Sequence, residues 1–107
     1  MISKSEFDAL VATYEKHGWV LRRVLAKDNA APALALPADV KFEQGMIDAA
    51  WFSRPRKIGP NAWEIRYLGG TQFALVVHLD ENASDFEDEL HQTEERLADT
   101  VVAPRKA

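Results

Sequence analysis

The sequence predicts a two-layer α+β domain: an antiparallel sheet of about four strands, with N- and C-terminal helices packed on one face. Three observations carry this expectation. Apolar residues recur at helical spacing only near the two ends of the chain. Between them, apolar and polar residues alternate with the period of a strand. Pro55, Gly59 and Pro60, and then Gly69 and Gly70, break that middle region into strand-sized pieces.

The first helix is predicted over residues 3–17. Phe7, Leu10, Val11 and Tyr14 form one apolar stripe at i, i+3, i+4 and i+7. Ser3 and Glu6 have the spacing of a capping box, in which each side chain bonds the other residue's backbone N–H. Gly18 is the expected stop, because glycine takes the left-handed cap conformation without a side-chain clash. Residues 19–27, WVLRRVLAK, read as a strand rich in β-formers. Strict alternation there places either Arg22 or Arg23 on each face. Residues 28–45 contain two prolines, few charges and spaced Leu34, Leu36, Val40 and Phe42. They read as an extended connection lying on the domain, with room for a short edge strand.

Residues 46–54, 63–68 and 72–79 read as three further strands. Ile47, Ala49, Trp51, Trp63, Ile65, Tyr67, Phe73, Leu75, Val77 and Leu79 fall on one face and form the expected core. Asp48, Ala50, Phe52, Arg54, Glu64, Arg66, Ala74, Val76 and His78 fall on the other. The turn at Gly69–Gly70 sets the register of the last hairpin. A two-residue loop would put the two bulky faces on opposite sides of the sheet. A loop with an odd residue count pairs Tyr67 with Phe73 and Ile65 with Leu75, and the odd loop is expected, with a glycine at positive φ. The second helix is predicted over residues 84–100. Ser84 and Glu87 form its expected capping box, and Phe86, Leu90, Thr93 and Leu97 its narrow stripe.

Length and composition fit one domain over residues 1–107, with 47% hydrophobic and 28% charged residues. There is no cysteine, which excludes disulfides, thiolate-bound metals and thiol nucleophiles. The charged N-terminal residues lack an apolar run, so neither a signal peptide nor a membrane anchor is expected, and a cytoplasmic location is. The net charge of −4 is uneven. Residues 1–79 hold ten Lys/Arg against eight Asp/Glu, whereas residues 80–107 hold three against nine. That distribution argues against a nucleic-acid binder spread over the whole surface.

Phe52 and Val76 are too apolar for a solvated sheet face, so a cover is expected: the 28–45 connection or a second subunit. The leading functional expectation is therefore a non-enzymatic interaction or assembly protein, as a homodimer or with another protein. Its surface is Phe52, Arg54, Arg66, Val76 and His78. An alternative is anion or nucleic-acid binding through Arg54, Arg56, Lys57 and Arg66, since guanidinium groups bind phosphate and carboxylate through paired hydrogen bonds. A third is a small enzyme using His78 with Glu64. No catalytic residue, metal or cofactor is assigned in the leading reading. His17, His78 and His91 show no zinc-type spacing, and residues 80–91 depart from the calcium-loop pattern at Asp85 and His91.

Overall fold

The computed structural model describes residues 3–27, 36–69 and 72–102. In chain order its elements are α1 (Lys4–Lys16), β1 (Val20–Ala26), β2 (Lys41–Gln44), β3 (Ala49–Arg54), β4 (Asn61–Tyr67), β5 (Ala74–Leu79) and α2 (Phe86–Val102). The α+β class is as the sequence predicts. The sheet has five strands rather than about four, in the order β2-β1-β3-β4-β5. The additional strand, β2, is the edge strand for which the 28–45 connection had room. It lies parallel to β1, while the other neighbours are antiparallel.

The helices do not share a face. α2 packs on the expected core face, where Phe86, Leu90 and Leu97 meet Trp51, Trp63 and Ile65. α1 packs on the opposite face, where Phe7 and Tyr14 join Leu21, Val24, Ala50 and Phe52. The reason lies in how much apolar surface each face offers. The α2 stripe of Phe86, Leu90, Thr93 and Leu97 is buried on the first face. The second face carries its own apolar centre, and burying a side chain such as Phe52 there contributes roughly 2–3 kcal/mol. One helix on each face buries both centres. Leu36, Val40 and Phe42 also pack against this second core, so the 28–45 connection supplies part of the cover.

A bulge in β1 resolves the arginine conflict in the sequence. Leu21 pairs with Phe52 and Arg23 with Trp51, so two residues of β1 oppose one step of β3. The extra residue turns Arg22 and Arg23 to the same side. Arg22 lies 5.0 Å from the Trp63 ring centroid and Arg23 lies 5.8 Å from that of Phe86, both on the α2 face. Leu21 and Val24 join the second core from this stretch, with Trp19 packed beside them, which makes β1 an apolar seat for α1.

The odd-loop register is present: Ile65 pairs with Leu75, and the Tyr67 N–H donates to the Phe73 carbonyl at 2.8 Å. Gly69 does not take a positive φ, and Gly70 lies outside the described residues. The α1 capping box between Ser3 and Glu6 forms, and Gly18 follows the helix with φ of 88°. The capping box expected at Ser84 does not form. α2 begins at Phe86, and the Glu87 carboxylate bonds Arg23 instead.

Candidate functional site

The residues expected to form one interaction surface are divided by α1. Phe52 is 0% exposed and stacks on Tyr14, with ring centroids 3.9 Å apart and planes 11° from parallel. It is a core residue of the α1 side and not part of a free surface. The Tyr14 hydroxyl donates to Glu64. Burial and then Glu64 push the Tyr14 phenol up to about 12, with Arg66 acting in the opposite direction. Arg66 is half-buried, and its Nε makes no hydrogen bond among the described residues. Arg54 is exposed and sits over the Trp19 ring, 5.8 Å from its centroid. Val76 and His78 lie beyond the reach of this packing, and both are exposed.

The open part of the second face is therefore the edge strand β5. Val76 is 53% exposed at its centre. Its neighbour across the strand is Glu64, which Tyr14 holds. The outer backbone edge of β5 pairs with no other described strand.

The four residues of the anion reading do not converge. Arg54, the last residue of β3, and Arg56 and Lys57 just beyond it are all exposed. Arg66 pairs with Ala50, four residues back along β3 from Arg54. At about 3.3 Å per residue, that places its backbone ~13 Å away. Arg56 also turns back to the Pro60 carbonyl at 3.5 Å. In the enzyme reading, His78 pairs with Ala62 and Val76 with Glu64, so the imidazole and the carboxylate are diagonal neighbours on adjacent strands.

A second constellation lies on the α2 face at the other edge of the sheet. Arg23 is buried and donates to both carboxylate oxygens of Glu87, at 3.0 and 2.6 Å. It also lies 3.8 Å from Glu43, which pairs with Lys41 at 3.3 Å. The paired hydrogen bond from Arg23 holds the Glu87 carboxyl below the usual glutamate range. Glu94 accepts a hydrogen bond from the Trp51 indole N–H at 2.8 Å. Burial pushes the Glu94 carboxyl up, and the Trp51 bond partly opposes that. Glu43, His91 and Glu94 each bring one ligand-type atom to within 4.8 Å of the others. They line a cavity of about 240 Å³ together with Gly45 and Met46.

Sequence reasoning missed this group. His91 and Glu94 carry a detectable signal, because a three-residue spacing puts both on one helix face. Glu43 carries none: it joins them only because β2 pairs with β1 and lies under α2. The chain matches no family model, no curated protein and no solved structure. Among the described residues, no helix is long and apolar enough to cross a membrane.

Proposed function

We propose that the protein is a non-enzymatic assembly protein that pairs with a second copy of itself through β5. The observation that carries this reading is Val76, 53% exposed at the centre of an edge strand. β5 reads ALVVHL, with no Lys, Arg, Asp, Glu or Pro to discourage the approach of another strand. A two-fold axis perpendicular to the sheet would set two β5 strands antiparallel and keep each face continuous. Residues of like parity would then meet, with Val76 opposite Val76 of the second copy and Leu75 opposite Val77. Backbone hydrogen bonds across the new pair supply affinity, and burial of the valines adds to it. Arg66 and His78 would flank the junction. Phe52, buried under α1, takes no part.

Sedimentation velocity tests this reading. The expected result is a concentration-dependent dimer that Val76→Lys converts to monomer. Ile58→Lys, at an 83% exposed site beyond β3, should leave the dimer intact. A wild-type protein that stays monomeric across the accessible concentration range would remove the proposal. So would a dimer indifferent to Val76→Lys. A monomer that captures a different protein through β5 would replace self-association with heterologous strand addition.

A further inference from the structure

We propose that Glu43, His91 and Glu94 form a binding site for a divalent transition-metal cation of the zinc type. β2 supplies Glu43, and α2 supplies His91 and Glu94 from one face of the helix. The donor set is two carboxylate oxygens and one imidazole nitrogen. Two carboxylates and a neutral imidazole around a divalent cation sum to zero charge. A site with an imidazole ligand suits zinc and its neighbours in the first transition row, whereas calcium and magnesium take oxygen ligands.

The distances suit a site that closes on its ion. Bonds of about 2.0–2.2 Å in a tetrahedral complex put ligand atoms roughly 3.4 Å apart. The three ligand atoms lie within 4.8 Å of one another. Closing the difference takes about an ångström of side-chain movement, within the range of rotamer adjustment. His91 is exposed and free to make it.

Glu94 is the fixed point. The fully buried Trp51 donates its indole N–H to Oε2 at 2.8 Å, which orients the carboxylate and leaves Oε1 for a ligand. Outer hydrogen bonds of this kind tune and aim metal ligands. The adjoining cavity of about 240 Å³ has room for water in a fourth position. The arrangement also brings two carboxylates together at a half-buried place, which costs free energy without a cation between them. Arg23 is committed to Glu87 by two hydrogen bonds. Lys41, exposed and 3.3 Å from Glu43, is the nearer of that carboxylate's two counter-ions, Arg23 standing at 3.8 Å, and the one that zinc would displace.

The experiment is isothermal titration of the chelator-stripped chain with zinc chloride. About one equivalent should bind. His91→Ala and Glu94→Gln should each weaken binding at least about tenfold. His91→Ala removes an exposed side chain, so it tests the site even if Glu94→Gln disturbs folding. Lys41→Met should tighten binding by freeing Glu43. The double variant His17→Ala/His78→Ala should bind as the wild type does. Cobalt in place of zinc should give a visible absorption band that disappears in His91→Ala. Absence of zinc binding would overturn the proposal, as would binding that survives His91→Ala or is lost in the His17→Ala/His78→Ala variant.

Discussion

The two edges of the sheet are built differently. β2 has four residues, KFEQ, with Lys41 and Glu43 paired at its margin. β5 has six residues and no Lys, Arg, Asp or Glu. Both present an outer row of backbone donors and acceptors that no other described strand takes up. A short, charged edge is a poor template for a further strand, because docking would desolvate its ions. A longer apolar edge is a good one. The charged networks of the α2 face, from Arg23 and Glu87 to Glu43 and Glu94, also gather at the β2 side. The molecule thus separates a charged margin at β2 from an apolar margin at β5.

The largest effect expected follows from the central position of Val76. Val76→Lys alone should weaken self-association by at least about 100-fold, roughly 3 kcal/mol. Its effect on the monomer's folding free energy should stay within about 0.5 kcal/mol, since the site is exposed. If Val76 faces its own copy across a two-fold axis, Val76→Lys mixed with Val76→Glu should recover a heterodimer. Sedimentation of the two variants separately and mixed measures this. Recovery fixes the register. Failure to recover, with both variants monomeric, would shift the axis along β5.

A second, smaller effect probes the polar margin. Glu87→Gln removes one partner of the buried Arg23. Loss of a partner from a fully buried pair costs several kcal/mol, but the Glu87 side chain is 52% exposed, so about 1–2 kcal/mol is expected. Urea denaturation measures it. The pH dependence has a definite sign. Arg23 lowers the folded pKa of Glu87 below its ordinary value of 4.5. Its contribution is therefore complete above about pH 4.5 and is lost as the pH falls through the lower folded value. Wild type and Glu87→Gln should differ at neutral pH and converge in acid.

Much of this contrast was legible in the sequence. Strand parity placed Trp51, Trp63 and Ile65 on one face and Phe52, Val76 and His78 on the other, and the odd loop set the β4–β5 register. The α1 stripe of Phe7, Leu10, Val11 and Tyr14 is the stripe that packs. The face that α1 chooses was not legible. That choice depends on where β1 lies in the sheet and on the bulge that sends both arginines to one side. Neither leaves a periodic trace. The capping pattern at Ser84 misled because Glu87 has a stronger partner, Arg23, far away in sequence. The Glu43, His91 and Glu94 group was hidden for a similar reason, since parallel pairing of β1 with β2 is a long-range event.

A third effect marks where the cover of α1 ends. Tyr14 reaches β4 through Glu64, and β5 lies beyond it. Tyr14→Phe keeps the stack on Phe52 and removes the hydroxyl that satisfies Glu64. The expected cost is about 1 kcal/mol by urea denaturation. In the wild type, one tyrosine should ionise only near 12 in an alkaline absorbance titration, and that delayed component should vanish in the variant. Self-association through β5 should be unchanged, because α1 does not cover Val76. A dimer weakened by Tyr14→Phe would mean that the α1 layer belongs to the contact.

The smallest effect on folding should come from Lys41→Val, yet it bears most directly on why the edges differ. The Lys41–Glu43 pair is exposed enough that its loss should cost no more than about 0.5 kcal/mol. The substitution nevertheless replaces a charge on β2 with a β-branched apolar residue of the kind that β5 carries. Two strand-accepting edges on one molecule allow open-ended stacking, whereas one edge closes as a dimer. Species larger than a dimer should therefore appear in sedimentation of Lys41→Val as concentration rises, and Val76→Lys in the same chain should suppress them. If only dimers form, charge is not what protects β2. Its four-residue length would then be the sufficient guard, and the asymmetry of the sheet would rest on strand length more than on sequence.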